Sequence, residues 1–270
     1  KQKKKEILLL VLLIIILFIL NYSWLDKIVV NFLNSKEEAS VERIVDGDTI
    51  KIKISEGGGE EVSDTVRLLG INTPEKGEIY YEEAKKLLED LIANKTINLE
   101  KGKEDRDLYK RLLRYIYLNN ENINFKLVEN GLANPYFPSG KDKYSKTFYD
   151  AWKDCAENKK INLCESSANE CSSCIKLKEF NVKAQEVIFF NDCSFSCNLN
   201  GWEIKDEGRK KFVFSDVNLK TKDEITIKVG EEANKENILY WKGEDYVWTD
   251  TGDTLFLRDN EGKLVLYYGY

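Results

Sequence analysis

The sequence has 270 residues, of which 42% are hydrophobic and 33% charged, so it has room for two globular domains and the composition to fold them. It contains no histidine, which excludes a Ser-His-Asp triad, a Cys-His pair and any zinc site that needs imidazole. The formal net charge of −6 excludes a uniformly basic nucleic-acid-binding protein, so any contact with nucleic acid must use a local basic pocket.

The N-terminal segment has the pattern of a membrane anchor. A basic flank at residues 1–6 precedes an unbroken apolar run from Ile7 to Leu20. A helix over 7–25 would be about 28 Å long, close to the roughly 30 Å hydrocarbon core of a bilayer. We therefore predict a single-pass transmembrane signal-anchor with a cytoplasmic N-terminus, a linker at 26–37, and extracytoplasmic domains after it. The alternatives are a cleaved signal peptide, for which no small-residue cleavage site follows promptly, and a buried helix.

All six cysteines follow this segment, and an even number outside the membrane predicts disulfides. They are Cys155, Cys164, Cys171, Cys174, Cys193 and Cys197. The last four have a spacing that also suits a structural zinc site with four thiolate ligands. Six cysteines allow 15 pairings, so the sequence leaves the connectivity open.

Residues 38–164 have the pattern of an α+β domain. Ile50, Ile52 and Ile54 alternate with lysines, as in a half-buried strand, and Gly57–Gly59 marks a hairpin loop. Further elements are predicted as strands at Val66–Leu68, Thr96–Glu100 and Leu112–Leu118, and as helices at Ala84–Ile92, Phe125–Asn130 and Phe148–Cys155. This order favours a five-stranded OB-fold barrel with three helices packed on it.

Four short motifs fall on this predicted frame. They are Val45-Asp46-Gly47-Asp48-Thr49, Val66-Arg67-Leu68-Leu69-Gly70-Ile71-Asn72-Thr73-Pro74-Glu75, Asp107-Leu108-Tyr109-Lys110-Arg111, and Gly131-Leu132-Ala133 before Tyr136. In this order and spacing the chain resembles the staphylococcal nuclease (thermonuclease) family over roughly Glu38 to Cys164.

The resemblance implies a role for each site residue. It implies that Asp48, Asn72 and the Thr73 carbonyl hold a calcium ion and that Glu75 is the general base. It further implies that Arg67 and Arg111 bind the scissile phosphate, and that Tyr109, Lys110 and Tyr136 contact the nucleotide.

These residue types also suit phosphodiester hydrolysis on chemical grounds. Carboxylate and carbonyl oxygens are the ligands that a hard cation such as Ca²⁺ prefers. A carboxylate can take a proton from the attacking water in a chain without histidine. The forked donors of two arginines match the geometry of a phosphate group.

Two positions depart from the family pattern. The family most often has aspartate where this chain has Asn72, so a metal-binding charge is missing, and it commonly has glycine at the position of Lys110. If the turn at Lys110 needs a positive φ, lysine would resist it. These departures keep open the alternative of a catalytically degenerate scaffold that binds nucleic acid or protein.

After a linker at 165–173, residues 174–270 read as short strands separated by turn signals. The strands are predicted at Glu186–Asn191, Trp202–Asp206, Lys211–Phe214, Ile225–Val229, Ile238–Trp241, Thr254–Arg258 and Leu264–Tyr268. This pattern is typical of an all-β immunoglobulin-like sandwich. The stretches Leu199–Glu207, Leu239–Trp241 and Val247–Leu255 resemble a lamin-tail domain. Residues 165–270 contain 20 acidic and 14 basic side chains, so we expect this half to meet a protein or cell-envelope partner rather than a polyanion.

Together these features predict a membrane-anchored, calcium-dependent nuclease. We expect it to hydrolyse DNA and RNA outside the membrane, with little sequence preference, to 3′-phosphate products. A structural surface protein dominated by the sandwich is the third possibility.

Overall fold

The computed structural model describes residues 2–5, 11, 37–55 and 61–270. In this described part of the chain, no helix is long and apolar enough to cross a membrane. The predicted transmembrane helix lies outside the described residues except for Val11, and the predicted hairpin loop Gly57–Gly59 lies outside them entirely. The chain divides into two compact units, Lys1–Glu38 and Ala39–Tyr270, and the second unit contains most of both predicted domains.

The first half of the described chain is built on a closed barrel. Its strands are β1 (Glu37–Ile44), β2 (Thr49–Ser55), β3 (Glu61–Leu68), β4 (Gly70–Asn72), β5 (Thr96–Arg106), β6 (Leu112–Leu118), β7 (Glu121–Asn122) and β8 (Asn134–Tyr136). The barrel runs in the order β3-β2-β1-β5-β6 and closes because β3 also pairs in parallel with β6. The predicted five-stranded barrel is thus confirmed.

The helices pack on this barrel through apolar faces. They are α1 (Tyr81–Ile92), α2 (Ile123–Glu129) and α3 (Ser145–Asp154), the last continuing through a π-helical turn at Cys155–Lys159 and a 3₁₀ turn at Asn162–Cys164. On α1, Ala84, Leu88 and Ile92 are fully buried because their spacing places them on one face. The Asn122 side chain caps α2 by accepting from the Phe125 backbone N–H at 3.0 Å.

Two predicted barrel strands are longer in the structure. The strand predicted at Val66–Leu68 already begins at Glu61, and the strand predicted at Thr96–Glu100 continues to Arg106 as β5. The continuation forms because Arg106 still pairs with Leu112 of β6 after a shift in register. Charged residues thus occupy a strand that local propensity alone would end.

The second half is a β-sandwich. Its strands are β9 (Ile175–Asn181), β10 (Glu186–Asn191), β11 (Cys197–Asn198), β12 (Glu203–Lys205), β13 (Lys211–Val213), β14 (Asn218–Leu219), β15 (Glu224–Val229), β16 (Ile238–Trp241), β17 (Thr254–Arg258) and β18 (Leu264–Gly269). Two four-stranded sheets have the orders β16-β15-β10-β9 and β13-β12-β17-β18. Trp202, Trp241 and Trp248 are buried in the apolar core between them.

The cysteines form three disulfides, which decides between the two predicted alternatives. Cys155 pairs with Cys164, Cys171 with Cys197, and Cys174 with Cys193. The first bridge closes a short loop after α3, and the other two tie the start of β9 to the segment after β10. The four thiols proposed for zinc are all used in these bridges.

Barrel and sandwich pack closely within the larger unit. Trp152 of α3 meets Phe256 of β17 edge to face, with 5.4 Å between ring centroids. The buried Arg258 guanidinium donates to the Leu163 carbonyl at 2.7 Å. Burial lowers the pKa of Arg258 to about 10, because desolvation disfavours the charged guanidinium.

Candidate active site

Asp48 is the centre of a buried polar cluster at one end of the barrel. Its Oδ2 atom lies 3.0 Å from Nη2 of Arg67 on β3 and accepts from the Thr73 backbone N–H at 3.0 Å. The Thr73 hydroxyl also donates to this oxygen, at 3.1 Å. The other oxygen, Oδ1, accepts from the Thr49 hydroxyl at 3.1 Å. Among the described residues, the hydrogen-bonding contacts of this carboxylate therefore come from predicted site residues and from the neighbouring Thr49.

The local sequence brings the Asp48 turn and the Thr73 loop together. Gly47 precedes Asp48, and a Cβ atom at this position would lie 2.8 Å from the Thr73 hydroxyl and 2.9 Å from Cβ of Ala84. Glycine thus permits the close approach between the turn after β1, the loop after β4 and helix α1. A side chain here would push Thr73 away from Asp48.

Asn72 completes the cluster at the end of β4. Its Oδ1 atom accepts from Arg67 Nη2 at 3.3 Å, so Arg67 lies between the side-chain oxygens of Asp48 and Asn72. The Asn72 Nδ2 atom donates to the backbone carbonyl of Gly208 at 2.7 Å. Gly208 lies in the sandwich, so the second half of the chain contacts a predicted metal ligand directly.

Arg111 joins the same cluster through Thr49. Its Nη1 atom lies 3.4 Å from the Thr49 hydroxyl, and its Nε donates to Asp107 at 2.7 Å. The guanidinium carbon lies 5.5 Å from the ring centroid of Tyr109, whose side chain is largely exposed. Lys110 between them has φ 69°. The turn therefore holds a lysine in the left-handed conformation, where the family commonly has glycine.

Glu75 and Tyr136 lie where the barrel meets the sandwich. The Glu75 carboxylate pairs with Arg209 of the sandwich at 2.7 Å, and both side chains are about half exposed. Tyr136 of β8 is partly buried, and burial raises the pKa of its hydroxyl. Its Cε2 atom lies 3.4 Å from the position of a Cβ on Gly208, so the sandwich loop touches this ring as well.

The oxygen atoms of the cluster fit a hard divalent cation. Asp46 accepts from the Asp48 backbone N–H at 3.1 Å, and its pKa is raised first by burial and then by the Asp48 charge. Two neighbouring carboxylates with the amide oxygen of Asn72 form an oxygen-donor set of the kind that Ca²⁺ prefers. A cation beside them would relieve the repulsion that raises the Asp46 pKa.

Several residues of this site were not predicted from the sequence. Asp46 could have been singled out, because Asp-Gly-Asp places a second carboxylate two residues from Asp48. Asp107 could have been found from its place four residues before Arg111, which it holds by an ion pair. Gly208 and Arg209 carry no sequence signal, because they lie more than 130 residues from Asn72 and Glu75, which they contact.

Comparisons with known proteins agree with this geometry. Residues 65–166 match the family model of the staphylococcal nuclease homologues, and residues 169–270 match that of the lamin tail domain. Both resemblances predicted from the motifs are thus confirmed, whereas neither comparison tests the roles of individual residues.

Three relatives cover the nuclease half. A thermonuclease of Staphylococcus intermedius is 35% identical over 135 residues, which are 48% of this chain and 77% of that protein. A thermonuclease of Staphylococcus hyicus is 32% identical over 134 residues, 47% of this chain and 76% of that protein. The SPbeta prophage-derived endonuclease YokF of Bacillus subtilis (strain 168) is 34% identical over 160 residues, 54% of this chain and 51% of that protein.

Proposed function

Because this chain belongs to the staphylococcal nuclease homologues, we propose that it is a calcium-dependent nuclease that hydrolyses DNA and RNA to 3′-phosphate products. The observation that carries the proposal is the contact set of Asp48, which joins Arg67, Thr73 and Thr49 in one buried cluster. The residues most often needed for metal-assisted phosphodiester hydrolysis therefore converge at one end of the barrel.

Asp48, Asn72 and the Thr73 carbonyl would hold the calcium ion, with Asp46 adding negative charge nearby. When bound, calcium supplies a Lewis acid that offsets negative charge on the phosphate oxygens. The Arg67 guanidinium, which pairs with Asp48 in this structure, would bind a phosphate oxygen of the substrate. Arg111 binds a second phosphate oxygen, since Thr49 holds it beside the same cluster.

Glu75 accepts the proton of the attacking water. It lies two residues after Thr73, and its carboxylate is about half exposed, so a water molecule can reach it. The water oxygen bonds to phosphorus and the bond to the 5′-oxygen of the next nucleotide breaks. The 5′-oxygen takes up a proton from solvent water, and the phosphate stays on the 3′ side. Tyr109, Lys110 and Tyr136 contact the nucleotide through two aromatic rings and one positive charge. Binding of the strand therefore does not need a pocket for one particular base.

We also propose that the protein acts outside a membrane to which its N-terminal segment anchors it. The support is the lysine-rich flank before the apolar run Ile7–Leu20, together with three disulfides, which persist in oxidising compartments. The sandwich would then be displayed toward protein or cell-envelope partners.

A calcium titration combined with product analysis tests the proposal. The full chain is incubated with labelled single-stranded DNA or RNA, and calcium binding is measured separately by calorimetry. We expect cleavage to follow calcium occupancy, products to carry a 3′-phosphate, and Asp48→Asn to lose both binding and cleavage. Asp90→Asn, at an exposed acid on α1, is the matched control and should change neither.

The alternative of a binding scaffold without catalysis rests on Asn72, which supplies no charge to the metal cluster. Under that alternative, the chain would bind the labelled strands in the presence of chelator as well as calcium, and no product would form with either nucleic acid.

A further inference from the structure

The loop between β12 and β13 lies directly on the candidate active site. We call residues 205–211 the β12–β13 loop, although its two ends belong to the strands. The Gly208 carbonyl accepts from Asn72 Nδ2 at 2.7 Å, and the Arg209 guanidinium lies 2.7 Å from the Glu75 carboxylate. Two predicted active-site residues are therefore in contact with the sandwich.

The position of this loop is fixed by further contacts on both sides. Lys205 binds the Glu78 carboxylate at 2.8 Å, and Lys211 binds it at 3.2 Å. The Glu207 carboxylate accepts from the Tyr149 hydroxyl of α3 at 2.9 Å. Since Tyr149 and Glu78 both belong to the barrel half, the loop is held at its middle and at both ends.

The β12–β13 loop buries its two acids and leaves the Arg209 side chain about half exposed. Asp206 and Glu207 are 7% and 6% exposed, whereas the Arg209 side chain is 55% exposed. Burial raises the pKa of both acids to about 7, so part of their negative charge is absent near neutral pH. The loop thus presents one basic side chain, Arg209, to the active site, although the sandwich as a whole is acidic.

The ion pair between Arg209 and Glu75 can exchange for a phosphate at little cost. Pairs between exposed side chains contribute little to stability, because water screens them. A phosphate accepts two parallel hydrogen bonds from an arginine, in a geometry that Arg209 can offer once it turns from Glu75. Arg67 and Arg111 likewise pair with carboxylates, Asp48 and Asp107.

We propose that Arg209 is a third phosphate-binding arginine of the active site, supplied by the lamin-tail half. It binds a backbone phosphate of the nucleic acid next to the scissile one, and leaves Glu75 free to accept a proton. This proposal rests on the proposed nuclease function, because it requires a nucleic-acid strand at Glu75. The interface between the two domains is then part of the substrate-binding surface.

The test measures binding of a fluorescent single-stranded oligonucleotide to the full chain as a function of salt, with chelator present so that no cleavage occurs. Each phosphate contact contributes roughly 0.7 to the slope of log K against log salt for single strands. We expect Arg209→Ala to weaken binding about tenfold at low salt and to reduce this slope by about 0.7. Arg209→Lys should keep the slope, since it keeps the charge, but bind more weakly than arginine.

Lys235→Ala is the control, because it removes one positive charge from an exposed position before β16. It should leave the slope unchanged. An unchanged slope for Arg209→Ala, or tighter binding, would overturn the proposal and assign Arg209 to the ion pair alone. Because binding is measured without cleavage, this result is independent of whether the chain proves to be a nuclease.

Discussion

Asn72 and Gly208, which lie 136 residues apart in sequence, share a buried hydrogen bond of 2.7 Å from the side-chain amide to the backbone carbonyl. The contact fixes the amide orientation, because Nδ2 faces the sandwich and Oδ1 faces Arg67. An aspartate at this position would place a carboxylate oxygen against the Gly208 carbonyl oxygen. The asparagine that departs from the family pattern is therefore matched to the domain that packs on it.

The first prediction concerns Asn72→Asp. In chelator we expect the free energy of unfolding to fall by about 1–3 kcal/mol, because a hydrogen bond is replaced by repulsion between oxygens in a buried site that already holds two carboxylates. Calcium should stabilise the variant more than the wild type, since the new charge strengthens binding of the ion. Urea unfolding with and without calcium measures both effects.

The control for this variant is Asn198→Asp, at an exposed position of β11, which should change neither quantity. Equal or greater stability of Asn72→Asp in chelator would show that the contact with Gly208 does not determine the residue at this position.

The second prediction concerns the left-handed turn before Arg111. Lys110 has φ 69°, a conformation that costs an L-residue roughly 1–2 kcal/mol and glycine almost nothing. Lys110→Gly should therefore raise the free energy of unfolding by about 1 kcal/mol in urea titrations. Lys103→Gly, at an exposed position inside β5, should lower it instead by about 0.5–1 kcal/mol. A loss of stability at position 110 would contradict the account of this turn.

The third prediction concerns pH. The pKa of Glu207 is raised from 4.5 to about 7, first because the residue is buried and also because Asp253 and Asp206 lie nearby. Between about pH 4.5 and 7, the native state thus holds a proton on Glu207 that the unfolded state has released. The stabilising contribution is complete below about pH 4.5 and is lost as the pH rises through about 7. The same sign applies to Asp206, whose pKa is also raised to about 7.

We expect the free energy of unfolding to fall between pH 5.5 and 8, with a slope of at most about 1.4 kcal/mol per pH unit for each of the two groups. Glu207→Gln should flatten the curve and be more stable than the wild type at pH 8, because the amide stays neutral. Exposed Glu236→Gln should leave the curve unchanged. A wild-type curve that is flat or rises over this range would show that these acids are ionised in the native state.

Features that depend on residues close together in the chain could be predicted from the sequence. The alternation of Ile50 and Ile52 gives β2, and the spacing of Ala84, Leu88 and Ile92 gives the buried face of α1. The order of the site motifs is sufficient to bring Asp48, Arg67 and Thr73 together, because these residues belong to one barrel.

The contacts across the domain boundary could not be predicted in this way. No periodicity or motif in residues 205–211 indicates that Gly208 meets Asn72 or that Arg209 meets Glu75, since both contacts depend on how two folded surfaces match. The net acidity of residues 165–270 does not show that Asp206 and Glu207 are buried while Arg209 is half exposed.

The most direct test of the central claim is the cleavage rate of single-stranded DNA by the full chain, measured in calcium and in chelator. The wild type is compared with Glu75→Gln and with the control Glu82→Gln, an exposed acid at the start of α1. The account predicts calcium-dependent cleavage that falls by about 100-fold or more in Glu75→Gln and is unchanged in Glu82→Gln. Absence of cleavage by the wild type at saturating calcium, or equal rates for Glu75→Gln, would contradict it.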